Sequence, residues 1–439
     1  KLVQEVENKL ANKKLPVYLE KNYNELRQDL TPELEAIAST NNKINNFKLR
    51  EATTTITAVS NLQSLAYGNN NAKLQNFNRN SNGHSWVSGG NFSRTVSASG
   101  SFNKDLAVGL QGRFGWDHEE RFKASLEEGY VKTHLGVWGI EVGKQALQWG
   151  GAGHNSAFAY GRNATPHTMI KLNLLEDHEF NKGFLRFLGK GNIHVFYSKM
   201  EGNRRTLLDQ FRPLAKNTEE DSLNLLGIRA EIKPNKHWTI GLERVSMFKK
   251  FDKDWFTGRN KENSETENNN DIAGIDTKVV LPGVQFYAAI YGEDQAGCFP
   301  SANSYSAGVY FPQLAKDGSW DLRLEGMKTN KALYGHGTYK LGWTYKESLM
   351  GDLAGADSRQ FSADLGHYMK DGSRLGLNFT YLNFNRDTLN GKDKELTLTW
   401  EKNISKKWDV SAALGIAKVD YKDKSETSKL VSLGAKWKF

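Results

Sequence analysis

The sequence predicts an all-β fold: an 18-stranded antiparallel transmembrane β-barrel with a small N-terminal α-helical plug on the periplasmic side. Three observations predict it. From about residue 47 onward apolar residues recur at every second position. The connections between these runs are of two kinds, tight turns and long polar loops. The two kinds largely alternate along the chain, as they do where short turns line one rim of an outer-membrane barrel and long loops the other.

The first 40 residues keep a helical period instead. Val3, Val6 and Leu10 share one face, as do Leu19, Tyr23 and Leu26. Thr31-Pro32-Glu33-Leu34-Glu35 has a cap, a proline at the first helical position and early acids, a helix start. Residues 1–46 are therefore expected to be the helical plug and 47–439 the barrel. The apolar stripes of these helices need cover, and the periplasmic mouth of the barrel offers it.

The strand period is plain in many runs. Leu375, Leu377, Phe379 and Tyr381 alternate with Gly376, Asn378 and Thr380; Leu396, Leu398 and Trp400 alternate with Thr397, Thr399 and Glu401; Val284, Phe286, Ala288 and Ile290 continue the pattern. The last run is Val431, Leu433, Ala435, Trp437, Phe439, and a terminal Phe on such a strand is what barrel-assembly machinery reads. Tight turns fall at 103–105, 234–236, 282–283, 371–372 and 403–406. Long loops fall at 63–87, 148–164, 201–221, 249–270, 294–303 and 329–358. Segment 176–190 is the exception, long on the short-turn side. Eighteen strands follow, from 47–62 to 429–439, an even number that puts both termini on one rim. The run 337–346 also alternates and is assigned to a long outer loop, which keeps the parity even.

Composition agrees. Hydrophobic residues are only 38% of 439 and mean hydropathy is −0.63, which would leave a soluble chain of this size a thin core. Barrel strands show lipid only every second side chain, so such values are ordinary for them. No stretch approaches 18 consecutive apolar residues, so no transmembrane helix is expected. Lys1 opens a polar segment, and the chain reads as a mature form after signal removal. The single cysteine, Cys298, allows neither an internal disulfide nor a cysteine-based metal site. A net charge of +9 is scattered singly through the strands, which suits a wet lumen better than a nucleic-acid stripe.

Several motifs together resemble the Wzi capsule-assembly family of outer-membrane proteins. They are Gly292-Glu293-Asp294-Gln295-Ala296-Gly297 followed by Pro300-Ser301-Ala302-Asn303 and Gly308, with Ala273-Gly274-Ile275-Asp276 and Gly241-Leu242-Glu243-Arg244 upstream. Gln148-Trp149-Gly150-Gly151-Ala152-Gly153 is similar to the family's Trp-Gly-x-Gly loop, and Leu349-Met350-Gly351-Asp352 with Gly355-Ala356-Asp357 to its Leu-Gly-Asp…Gly-Gly-Asp run. The resemblance covers about residues 120–439 well. It departs at Trp-Gly-Gly-Ala-Gly and in the Lys- and Asn-rich loop 249–270. It implies a barrel of 18 strands with a periplasmic plug and a surface lectin without catalytic activity, holding capsular polysaccharide on the cell.

Sugar recognition uses aromatic faces, amides, carboxylates and arginines. The outer loops offer Trp149, His154, Tyr160 and Arg162; Arg204 and Arg205; Trp255 and Arg259 as ligand contacts, with Glu293 and Asp294 at a strand end. The plainer readings are loop packing for Trp149, and pairing of Glu293 and Asp294 with barrel arginines such as Arg244. Residues 261–270 read as a solvated loop tip. Ser81-Asn82-Gly83-His84-Ser85 carries the Ser-Asn-Gly of outer-membrane phospholipases, but there a His precedes the Ser by two positions and here residue 79 is Arg. Catalytic residues, a metal and a cofactor are therefore not expected. The expected partners are capsular or extracellular polysaccharide, outer-membrane lipid and the barrel-assembly machinery, with no nucleic acid. The expected place is the bacterial outer membrane, loops facing the exterior and both termini periplasmic. The alternative function is a porin or saccharide channel.

Overall fold

A computed structural model of the chain describes residues 15, 20, 23–24, 26–27, 30–31, 46–63, 75–119, 121–150, 157–202, 222–251, 269–296, 299–336, 339, 341–387 and 390–439. Eighteen long strands close into one antiparallel barrel. In chain order they are β1 (Lys48–Ser60), β2 (Gly89–Ser101), β3 (Ala107–Asp117), β4 (Phe122–Leu135), β5 (Trp138–Gln145) and β6 (His167–Leu174). Then come β7 (Lys190–Lys199), β8 (Asn224–Asn235), β9 (Trp238–Phe248), β10 (Asn269–Leu281), β11 (Val284–Gly292) and β12 (Ser304–Phe311). The ring is completed by β13 (Trp320–Lys328), β14 (Arg359–Tyr368), β15 (Arg374–Phe384), β16 (Gly391–Ser405), β17 (Trp408–Asp420) and β18 (Ser425–Lys438). Each strand pairs with its sequence neighbours, and β18 pairs with β1, setting Ile56 opposite Leu433 and Glu51 opposite Lys438. Closure leaves no strand edge, which a spanning sheet in hydrocarbon requires.

The two-residue period decides what each face meets. On β3 Leu110, Phe114 and Trp116 are exposed on the outside, while Gln111, Arg113 and Asp117 point into the lumen. On β16 Leu396 and Leu398 face out, and Asp393 and Glu395 are buried within. Trp138, Trp238, Trp320 and Trp408 each open a strand directly after a short turn and stay exposed, an aromatic girdle at the short-turn rim. Phe439 closes that girdle: its ring tilts against Trp437, which stacks on Trp408 at 5.9 Å.

The strand assignments read from the alternation agree with these elements. Rim assignment is less uniform than expected. Connections 118–121, 385–390 and 421–424 are short although they lie on the long-loop rim. The described residues of the run 337–346 stay out of the barrel wall. Among its described residues, Thr344–Tyr345 pairs with Ser348–Leu349 in a small separate hairpin.

The expected N-terminal plug falls mostly outside the described residues. Tyr23–Asn24 and Leu26–Arg27 are helical, and Leu30 N–H donates to Leu26 O at 3.0 Å. The chain enters β1 at the short-turn rim, where Asn46 N–H donates to Ser101 O at 3.1 Å and Phe47 stacks on Phe102.

Candidate functional site

Polar backbone inside a barrel needs partners, and here the long loops supply and find them in the lumen. Among the described residues, three loops turn inward. The first, between β1 and β2, reaches across to β18, β16 and β14. Asn76 donates to Ser428 Oγ at 2.8 Å, the Phe77 N–H to Glu395 at 3.1 Å, and Arg79 to Gln360 at 3.2 Å. Its Asn- and Gly-rich sequence permits the path: Asn80, Asn82 and Gly83 have φ of 52°, 52° and 80°, the left-handed region that asparagine and glycine tolerate. The second loop, between β5 and β6, meets the first where the Asn82 and Gly83 N–H groups donate to Arg162 O and Asn163 O, both at 2.8 Å.

The third loop, 329–358, supplies the packing. Its neck is tied by Thr329 N–H to Ser358 O and Ser358 N–H to Thr329 Oγ1. Trp343 is fully buried and its indole N–H donates to Ala159 O at 2.7 Å; the Tyr334 hydroxyl donates to Phe158 O at 2.8 Å. Leu333, Tyr339, Leu349 and Met350 join them against lumen-facing Phe196, Leu225, Met247 and Tyr291, so the loops share one apolar core with the barrel wall. The glycine of Leu349-Met350-Gly351-Asp352 is explained here: a Cβ at Gly351 would sit 2.4 Å from Phe158 O and from the Tyr334 hydroxyl. Asp357 of the same run holds Arg386 at 2.7 Å and accepts the Asp387 N–H at 2.7 Å.

Burial pushes the Asp352 carboxyl up to about 7, against the pull of Arg79. A carboxyl raised in the folded state binds its proton more tightly there than in the unfolded chain. Its stabilising share is complete below the ordinary value near 4 and is lost as pH rises through about 7. Asp352→Asn removes the titration. Its melting temperature relative to the parent should therefore rise between about pH 4 and about pH 8. A constant difference across that range would show that Asp352 ionises as an ordinary carboxyl.

Below the loops a charged brace crosses the wall. Arg229 on β8 forks onto Asp276 of β10 at 2.5 and 3.0 Å, and reaches Glu243 of β9 at 3.0 Å. The Tyr291 hydroxyl donates to both acids at 3.1 Å. Gly241 leaves the room, since a Cβ there would lie 2.3 Å from the Arg229 guanidinium. The motif residues Gly241, Glu243 and Asp276 thus belong to one structural joint.

Between the first loop and the wall formed by β1–β4 lies a cleft of about 470 Å³. It is lined by amides and hydroxyls (Asn78, Asn80, Asn82, Ser85), by Trp86 and His84, and by cations Arg113, Lys123 and Lys346. A β-bulge on β4 turns the extra residue Glu127 inward, where it meets His84 Nε2 at 2.5 Å and the Ser125 hydroxyl at 2.9 Å. The half-buried Arg113 guanidinium has no hydrogen-bond partner among the described residues. Such a surface can hold hydroxyl-rich, carboxylate-bearing chains: planar donors for carboxylates, amides for hydroxyls, an indole face for C–H surfaces.

The residues expected to touch ligand are placed as follows. Trp149 and Tyr160 are buried, with Phe196 against both rings at 4.9 and 5.1 Å, so their faces are taken by protein. For Trp149 this is the packing role that was its plainer reading. Glu293 is buried too and accepts the Tyr334 N–H, anchoring the third loop. Arg244, the arginine expected to pair with it, donates to Asp271 at 2.6 Å, beside it on the neighbouring strand. Asp294 begins a short strand, Asp294–Ala296, paired with Phe299–Ser301. Arg162 is exposed and borders the cleft through its carbonyl. His154, Arg204, Arg205, Trp255 and Arg259 lie outside the described residues. Arg113 and Lys123 were missed, though strand parity marks both: each sits out of phase with lipid-facing neighbours, Phe114 and Phe122.

Comparison with known proteins places this geometry. The family model described as capsule assembly protein Wzi matches residues 68–430. The structure of Escherichia coli Wzi, described as a carbohydrate-binding β-barrel involved in group 1 capsule assembly, superposes with a TM-score of 0.67. That match has 16% identity and covers 94% of this chain and 87% of that one. The outer membrane protein OprD of Pseudomonas aeruginosa shares the fold at a TM-score of 0.51 and 10% identity, covering 92% of this chain and 95% of that one. An uncharacterized 55.8 kDa protein in the cps region of Klebsiella pneumoniae is 28% identical over 202 residues. The match takes in 43% of this chain and only 37% of that protein's length. The family match spans the inward loops, the brace and all of the cleft but its β1 side, and on it the chain belongs to the Wzi family of outer-membrane capsule assembly proteins.

Proposed function

We propose that this chain is a surface lectin that binds and anchors capsular, or related extracellular, polysaccharide, and that it does so through the cleft beside β1–β4. The observation that carries the reading is the lining of that cleft: amides, hydroxyls, the Trp86 indole and the cations Arg113, Lys123 and Lys346 at the long-loop rim. In this reading the long loops face the cell exterior, both termini are periplasmic, and the N-terminal segment seats in the mouth at the short-turn rim. Arg162, His154, Arg204, Arg205, Trp255, Arg259 and Asp294 would extend the contact surface across the loops. Outer-membrane lipid and the barrel-assembly machinery are the remaining partners. Inward loops weigh against the channel reading, because they occupy the path a solute would take. No step of the proposed role requires bond making or breaking.

Immobilised polysaccharides test it. The purified protein should bind uronate-bearing polymers, and Arg113→Ala should weaken that binding roughly 10- to 100-fold, the worth of a charge-assisted pair. Neutral polymers should lose little. A parent protein that retains no polysaccharide of either kind would remove the lectin reading.

A further inference from the structure

The longest connection on the short-turn rim runs from β6 to β7, residues 175–189, and takes no part in the loop plug or the cleft. Its start is pinned inside the barrel mouth, where Asp177 accepts from Lys233 at 2.7 Å and from Asn192 at 3.0 Å. By Phe180 the chain has crossed the rim. Its N–H donates to Gly189 O at 2.8 Å, and its ring covers Gly191. Gly191 lies on the face of β7 that carries the exposed Tyr197, so this is the lipid face. The chain then makes one 3-10 turn, Gly183–Leu188, in which no residue is buried.

The exposure is large and apolar. Phe184 is 82% and Phe187 66% exposed, and Leu185 points out with them. Monomeric proteins seldom leave adjacent aromatic rings to water. The patch shares its rim with the lipid-facing girdle. At the start of the same connection the Leu175 N–H donates to Val137 O at 2.9 Å, among exposed Leu135, Val137, Trp138 and Leu175. Charge points the same way. From 180 to 190 the segment carries Lys182, Arg186 and Lys190 and no acid. Glu176 and Glu179 precede the crossing, and Asp177 is turned inward to Lys233.

We propose that residues 180–190 form a lateral foot lying in the phospholipid leaflet that borders the short-turn rim. Phe184 and Phe187 enter at the boundary of headgroups and acyl chains, and Lys182, Arg186 and Lys190 engage anionic lipid phosphates. Aromatic rings at the interface with long basic side chains reaching to phosphates are the chemistry of such anchors. The foot would fix the height and rotation of the barrel relative to that leaflet, independently of any carbohydrate bound at the other rim.

Depth measurement tests it on the full chain. With Cys298→Ala, single labels at Phe184→Cys or Phe187→Cys carry a nitroxide in vesicles of phosphatidylethanolamine and phosphatidylglycerol. A label at Lys236→Cys, in a tight turn of the same rim, serves as the aqueous reference. Oxygen should outcompete a water-soluble nickel chelate several-fold more at 184 and 187 than at 236. Lys182→Glu with Arg186→Glu should move both labels toward water while the barrel still runs as a folded band. Equal accessibility at all three sites overturns the proposal. So does a short distance between labels on two chains, which would give the patch to a second copy.

Discussion

Arg229→Ala should destabilise the barrel by about 3–5 kcal/mol, the cost of removing one partner from a buried charged group. Arg229 is almost wholly enclosed, as are Glu243 and Asp276, and it is the cation shown to bridge them. Without it two acids on adjacent strands face each other across a wall closed to water. The Tyr291 hydroxyl cannot neutralise either. The variant should lose its compact, fast-migrating electrophoretic form at a temperature the parent survives. Arg229→Lys should fall between them, since a lysine keeps the charge but not the two-pronged grip on Asp276. The combination Arg229→Met, Glu243→Gln and Asp276→Asn should recover most of the loss, because then no charge is left buried. An Arg229→Ala barrel that melts with the parent would mean that lumen water reaches the brace.

The brace also shows how far the sequence could be read. Alternation alone located the strands, because lipid on one side and a filled lumen on the other impose the same period on every strand of a barrel. Strand order then follows from connection length, and the register between β8, β9 and β10 would bring Arg229 beside Glu243 and Asp276. The loops obey no such rule. Tyr339, Leu341, Trp343 and Tyr345 alternate as regularly as any strand, yet Trp343 and its neighbours pack inside a loop. Only the even strand count separated the two cases. Loop aromatics such as Trp149 and Tyr160 look like sugar-binding faces while a loop is assumed to project outward. Their burial depends on Phe196, on a different strand, and on loops distant in sequence. The cleft is likewise assembled from β1–β4, residues 77–86 and Lys346, a set that no local pattern brings together.

Trp343→Ala should open what the inward loops close. The side chain is fully buried, and truncating a tryptophan in such a setting costs about 3–5 kcal/mol. The loss also removes the bond to Ala159 that ties the third loop to the second. The strands keep their own ladders, so the loss should fall on the loop assembly rather than on the barrel, with the folded band retained. In planar bilayers the parent should pass no steady current, and the variant should show brief, irregular openings. Proteolysis of loop 329–358 should quicken in parallel. Steady unitary currents from the parent itself would return the chain to the channel reading. A variant whose loop is cut quickly but which still passes no current would place the seal at the other rim. There the N-terminal residues enter beside Ser101 and Phe102, and removing those residues in the Trp343→Ala background should then release the current.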